Sequence, residues 1–220
     1  MTRIVSGFAG SLGLAVPKSG TRPTSDRVRE AMFSSLESMD AISGIRVLDL
    51  YAGSGALALE AVSRGASSAV LVEQNAQAAS VCRRNASAVL KAATQARSAD
   101  GAGSGLARVD VRQSTVRGYL AQSGGADFGL AFLDPPYDVT EAELADVLAA
   151  LVAHLREDAV VVVERSARSP EPRWPAPLDP FRTKAYGETA VWFAGLAESD
   201  SADASPGVPG DVPPHPQPAA

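Results

Sequence analysis

A single cysteine, two histidines and 5% aromatics set the first limits on this chain of 220 residues. Cys82 alone excludes an intrachain disulfide and a cysteine-based metal cluster, and with only two histidines beside it no metal site is expected. No apolar run approaches the ~20 residues that a membrane helix needs. Nor does the N-terminus join a basic stretch to a long apolar one, as a secretion signal would. The expectation is a soluble, cytoplasmic protein. Positive charge is also scarce, with 20 Lys and Arg against 25 Asp and Glu, which at first argues against a nucleic-acid partner. Divided along the chain, the balance changes. Residues 197–220 hold four acids and no Lys or Arg, so most of the net charge of −5 belongs to the tail. Residues 1–30 hold Arg3, Lys18, Arg22, Arg27 and Arg29 against Asp26 and Glu30, a local positive cluster able to meet phosphate.

What is present is an ordinary globular composition, 45% apolar, long enough for one domain with a full core. The tail, with its run "SADASPGVPGDVPPHPQPAA", has too little bulky apolar surface to offset its ordering entropy and is expected to be disordered. Thr94–Ala107 ("TQARSADGAGSGLA") has the same small, polar character and reads as a loop. Between these segments, apolar runs alternate with helical periodicity. Arg46–Tyr51, Ala69–Glu73, Ala107–Arg112, Phe128–Asp134 and Ala159–Glu164 read as strands, with helices over Leu57–Arg64, Ala76 to about Leu90, and Glu141–Leu155. Such alternation implies right-handed crossovers and a parallel sheet covered on both faces. "FRTKAYG" and "TAVWFAG" are separated by one residue and read as an antiparallel hairpin closing that sheet. The expected organisation is a hairpin-like extension over residues 1–22, one α/β domain over 23–196, and a tail over 197–220. "RPTSDRVREAMFSSL" marks a helix start capped by Thr24 or Ser25. Cys82 and Trp192 read as packing residues, and His154 as a surface or packing residue.

Two motifs carry chemistry. In "DLYAGSGALALEA", Asp49 ends a strand, Gly53 and Gly55 form the turn, and a helix follows, so a ligand can approach backbone and free N–H donors closely. Glu73 ends the next strand, about twenty residues on, where an acid can bind two ribose hydroxyls. Gly53-x-Gly55-x-x-Ala58 also satisfies the dinucleotide fingerprint, which keeps a dehydrogenase open. "FLDPPY" decides between them. Pro135 and Pro136 lack N–H groups and must stop a strand with Asp134 at its tip. Hydride transfer has no use for this corner, whereas methylation of an exocyclic amine does. The Asp134 carboxylate and the Pro135 carbonyl can take that amine's two N–H groups and favour a localised lone pair, while Tyr137 stacks on the base. A base held in this way is unpaired or extruded from its stack. With an ordinary carboxylate pKa of about 4, Asp134 is expected to accept hydrogen bonds rather than act as a strong base.

"RIVSGFAG", "RPTSDRVREAMFSSL", "LDLYAGSGALALEAVSRGA" and "FLDPPY", in this order and spacing, resemble the bacterial 16S rRNA guanine-N2 methyltransferase family, RsmD-like, among the class I S-adenosylmethionine-dependent enzymes. The resemblance covers roughly residues 3–195. It implies a Rossmann-like, mostly parallel seven-stranded sheet ending in an antiparallel hairpin. It further implies an S-adenosylmethionine site at Asp49, Ala52, Gly53, Gly55 and Glu73 and an amine site at Asp134, Pro135 and Tyr137. Arg22, Thr24, Arg27 and Pro136 are expected toward the substrate. After the third strand the family offers an Asn or Asp near the adenine, whereas this chain has Gln113, Ser114 and Thr115, and which of them faces the adenine is open. The implied partner is 16S rRNA within the small ribosomal subunit or an assembly intermediate, met by a monomer. A DNA adenine-N6 methyltransferase and a non-catalytic RNA-binding assembly factor are the rival readings.

Overall fold

The computed structural model describes residues 2–17, 25–100, 107–122, 125 and 127–197. The disorder expected of the tail falls on residues 198–220, outside the described residues, as do Arg22 and Thr24. The chain runs β1 (Thr2–Arg3), β2 (Gly13–Leu14), α1 (Asp26–Glu37), β3 (Arg46–Asp49), α2 (Ala56–Ser63), β4 (Ser68–Glu73), α3 (Ala76–Asp100), β5 (Arg108–Gln113), α4 (Val116–Leu120), β6 (Phe128–Leu133), α5 (Glu141–Leu151), β7 (Leu155–Ser166), β8 (Leu178–Tyr186) and β9 (Thr189–Leu196). β1 and β2 pair antiparallel as a separate two-stranded ladder, and the other seven strands form one sheet in the order β5-β4-β3-β6-β7-β9-β8. β3 to β7 are parallel neighbours, while β9 runs antiparallel between β7 and β8. This is the sheet and terminal hairpin expected from the sequence. No helix among the described residues is long and apolar enough to cross a membrane.

The alternation of side chains along each strand divides the core into two layers. Val47, Leu71, Leu130, Phe132 and Val162 face one way and meet Met32, Phe33 and Leu36 of α1 and Leu59 and Val62 of α2. Leu48, Val70, Ala131, Leu133, Val161 and Val163 face the other way and meet Leu144, Leu148 and Leu151 of α5. Helix starts follow the sequence closely. Ser25 caps α1 by accepting the Val28 N–H, and Thr140 and Glu143 form a complete capping box on α5.

Two expectations are corrected. Of the expected loop Thr94–Ala107, residues 94–100 are helical, while 101–106 lie outside the described residues. Its alanines favour helix, and the Thr94 and Ser98 hydroxyls donate to the carbonyls of Leu90 and Thr94 one turn back, at 3.1 and 3.0 Å. The N-terminal positive cluster is also smaller than its composition suggests. Arg29 is fully buried, donating to the Arg3 carbonyl and to Asp26 at 2.5 and 2.7 Å. Arg3, although exposed, pairs with the same Asp26; Arg27 at the start of α1 is exposed, and Lys18 and Arg22 lie outside the described residues.

The N-terminal residues are held on α2 by buried polar groups. Glu60, with no exposed surface, accepts the N–H groups of Val5 and Ser6 at 2.6 and 2.9 Å and pairs with Arg64 at 2.7 Å. The Ser63 hydroxyl accepts the Ala9 N–H and donates to the Ser6 carbonyl. Gly7 lies against this helix so closely, at φ +81°, that a Cβ there would sit 1.9 Å from the Ser63 carbonyl oxygen. Only glycine fits.

Candidate active site

Strand register builds the site. Asp49 of β3 pairs with Leu71 of β4 and Phe132 of β6. Two residues further along those neighbours come Glu73 and Asp134, which the period of two places on the face that Asp49 occupies. The strand order also reverses between β3 and β6, so a crevice opens beyond the strand ends. A cavity of about 560 Å³ lies there. Among the described residues, five acids, Asp49, Glu73, Asp134, Asp138 and Glu143, line it against one base, Arg117. That balance is poor for the pyrophosphate of a dinucleotide and suits a ligand carrying positive charge. The dehydrogenase alternative loses its footing here.

The glycine turn forms one end of the cavity. The Gly53 N–H donates to one Glu73 oxygen at 2.9 Å, and the Asn75 N–H donates to the other at 2.7 Å. Gly55 adopts φ +80°, and a Cβ on it would sit 2.8 Å from the Leu71 side chain and 2.9 Å from the Cys82 Sγ. The turn is therefore pressed onto the sheet as tightly as a glycine allows. Burial also pushes the Cys82 thiol pKa up, so it stays a neutral packing group. Asp49 is 1% exposed and accepts the Ala58 N–H of α2 at 3.4 Å. Burial raises its pKa to about 7, against smaller opposing effects of backbone N–H groups, with the charge of Glu73 adding to the rise.

The Asp-Pro-Pro-Tyr corner faces the same cavity. β6 ends at Leu133, Asp134 and Pro136 line the wall, Pro135 is buried behind it, and Tyr137 is 79% exposed outside it. Leu133 pairs with Val163, so Asp134 stands beside Glu164 of the next strand. Burial first, then the charges of Glu164 and Asp49, raise the Asp134 pKa well above the usual carboxylate range. The expectation of an ordinary acid is thereby corrected. Asp134 is a better proton acceptor than its isolated chemistry suggests.

The remaining expected residues separate. Gln113 ends β5 and is exposed, while Thr115 caps α4 through the Gly118 N–H at 3.0 Å and lines the cavity. Of Gln113, Ser114 and Thr115, only Thr115 is on the wall. Ala52 and Gly53 line the cavity directly, and Gly55 shapes the turn from beneath. Arg27 does not line the cavity. Sequence reasoning missed Pro17, Tyr51, Asn75, Arg117 and Glu143, all on the wall. Tyr51 and Arg117 stand within or next to motifs already singled out, and Glu143 was legible as the acid three residues after the cap Thr140. Nothing in the local sequence marks Pro17.

This strand order, with its reversal point and terminal hairpin, is the Rossmann-like class I methyltransferase fold. The chain belongs to the RsmD-like family that its motifs resemble, whose model, described as "Conserved hypothetical protein 95", matches residues 2–195. It is 35% identical over 189 residues, 86% of each chain, to Ribosomal RNA small subunit methyltransferase D of Escherichia coli K12. It is 31% identical over 169 residues to the protein of the same name in Haemophilus influenzae, covering 76% of this chain and 80% of that one. A solved structure of a hypothetical protein from Thermus thermophilus superposes with a TM-score of 0.65 at 29% identity, over 89% of this chain and 100% of the other.

Proposed function

We infer that this chain transfers a methyl group from S-adenosylmethionine to the exocyclic N2 of a guanine in 16S rRNA. One observation carries the reading: Asp134 and Pro136 of the Asp-Pro-Pro-Tyr corner line the same cavity as Asp49, Gly53 and Glu73. The names of the two curated relatives support the RNA class of the substrate.

The residues fit the cofactor on their own chemistry. Glu73, half-buried at the end of β4, suits a ribose diol. Ala52 and Gly53 bring backbone to the wall, and Thr115 lies across the cavity for the adenine. A cation beside the buried acids Asp49 and Asp134 would favour the ionised forms that burial otherwise disfavours. When bound there, S-adenosylmethionine supplies an electrophilic methyl group on a sulfonium. Asp134 accepts one N–H of the target amine and the Pro135 carbonyl accepts the other, which holds the nitrogen lone pair toward the donor. The methyl's bond to sulfur would break as its bond to nitrogen forms, releasing S-adenosylhomocysteine, and Asp134, whose raised pKa makes its carboxylate a competent acceptor, would take the proton that the amine gives up. Tyr137, exposed at the rim, stacks on the base. Positioning does most of the work.

Residues 23–196 form the transferase unit, with residues 1–22 as an extension and 197–220 as a tail. The likeness to the RsmD-like family points to an assembled small-subunit particle or an intermediate of its assembly as the substrate, met by a monomer in the cytoplasm. The test is transfer of a tritiated methyl group to 30S particles, naked 16S rRNA and duplex DNA, with mass spectrometry of the labelled nucleoside. N2-methylguanosine from the particle is expected. Label in adenine of DNA, or none in any substrate, would overturn the reading.

A further inference from the structure

Asn85 makes three hydrogen bonds that no catalytic role explains. It lies on α3, 4% exposed, one turn beyond Cys82. Its Oδ1 accepts the Ala15 N–H at 3.0 Å, and its Nδ2 donates to the Ala15 carbonyl at 2.9 Å and to the Ser54 carbonyl at 2.8 Å. Both amide hydrogens are used, and the orientation of the amide follows from its partners: the N–H of Ala15 requires an oxygen, and the two carbonyls require the NH2 group. A side chain thus reads one residue of the N-terminal arm as a neighbouring strand would, and ties it to the glycine turn.

The two segments joined in this way both belong to the cavity. Ser54 lines it from the glycine turn, and Val16 and Pro17, immediately after Ala15, line it from the arm. Among the described residues, nothing else places the arm's end with comparable specificity. Glu60 and Ser63 hold residues 5–9 on α2, and the β1–β2 ladder ends at Leu14. Val16 itself remains 37% exposed.

We propose that Asn85 is a positioning residue for cofactor binding, a latch that holds Val16 and Pro17 as a wall of the cavity by coupling Ala15 to Ser54. The proposal rests on the methyltransferase reading for the identity of the ligand. Other residues fail at this position for definable reasons. Aspartate would set a carboxylate against two carbonyls, and leucine would leave the Ala15 N–H and the Ala15 and Ser54 carbonyls without this partner. Because Glu60 and Ser63 anchor the earlier part of the arm independently, losing the latch frees residues 15–17 without undocking the rest.

The test uses the full chain and its Asn85→Ala and Asn85→Asp variants. Isothermal titration with S-adenosylhomocysteine is expected to show Kd raised by about tenfold, the scale of losing one or two part-buried hydrogen bonds. KM for S-adenosylmethionine should rise in parallel while kcat at saturating donor stays within about twofold. Hydrogen exchange should quicken at the Ala15 amide and not at Val5 or Ser6. A general loosening of the fold would instead quicken all three and lower kcat. Should both Asn85 variants fail to fold, Val16→Ala with Pro17→Gly, which alters only the wall the latch holds, carries the test by the same titration. A Kd within about twofold of the unaltered protein, in whichever variants fold, overturns the latch. Failure of the unaltered protein to bind either S-adenosyl compound overturns the methyltransferase reading, and the latch with it.

Discussion

The burial of Asp49 sets a measurable dependence of stability on pH. Its pKa is about 7 in the folded chain against 3.8 for a free carboxyl. Between those values the folded state keeps a proton that the unfolded state has released, so stability falls as pH rises through this window and levels off above about 7. About three pKa units at ~1.4 kcal/mol each give a loss on the order of 4 kcal/mol from this one group. Asp49→Asn keeps the shape and an oxygen for the Ala58 N–H but cannot ionise. Its stability relative to the parent should therefore improve by up to about 4 kcal/mol between pH 4 and pH 8. Asp134, whose pKa is also raised, titrates in both proteins and largely cancels in the comparison. Removing Asp49 takes away one cause of that rise and adds to the difference. Urea denaturation at half-unit pH steps measures it. Parallel curves for the two proteins, differing by less than about 1 kcal/mol across the window, would refute the argument. The same charges bear on binding. A cationic ligand favours the ionised acids, so the affinity for S-adenosylmethionine should rise from pH 6 to pH 8. S-Adenosylhomocysteine, lacking the sulfonium charge, should show a weaker dependence.

Asp134→Asn should lower methyl transfer by about 100-fold or more, the range for losing a proton acceptor, with little change in S-adenosylhomocysteine binding by calorimetry. In the parent enzyme kcat/KM should fall on acidification at a pH above the ordinary carboxylate range, because protonation removes the acceptor, and a profile flat to pH 5 would contradict this. Tyr137→Ala should raise KM for the RNA substrate by the worth of one stacked base, ~1–3 kcal/mol. Its thermal midpoint should not move, since the side chain is 79% exposed. Glu60→Ala leaves the Val5 and Ser6 amides and the Arg64 Nε without their acceptor, Arg64 keeping only its pair with Glu37. A loss of about 3–5 kcal/mol is expected in denaturant titration, and a loss below 1 kcal/mol would show that water replaces the carboxylate.

Local features of the chain carried a large part of this structure. Strands and helices were legible because side-chain alternation and helical periodicity are local consequences of backbone geometry. The corner at Asp134 was legible because two prolines leave a strand no way to continue. Where local cues competed, tertiary structure decided. Thr94 to Asp100 carries residues shared by loops and helices, and the helix begun at Ala76 continues through them. Arg29 sits among exposed-looking charges, yet folding buries it against Arg3 and Asp26.

By itself, then, the sequence determined which residues end strands, where glycine must turn, and that acids stand at three of those ends. Only the tertiary structure decided that strand register sets Asp49, Glu73 and Asp134 on one face, and that burial raises two of their pKa values. It also decided that Asn85 joins an arm 70 positions away to the turn beneath the cavity. The physical reason is range. Backbone stereochemistry acts over a few residues, whereas charge, desolvation and hydrogen bonding act through space between segments that the sequence keeps apart.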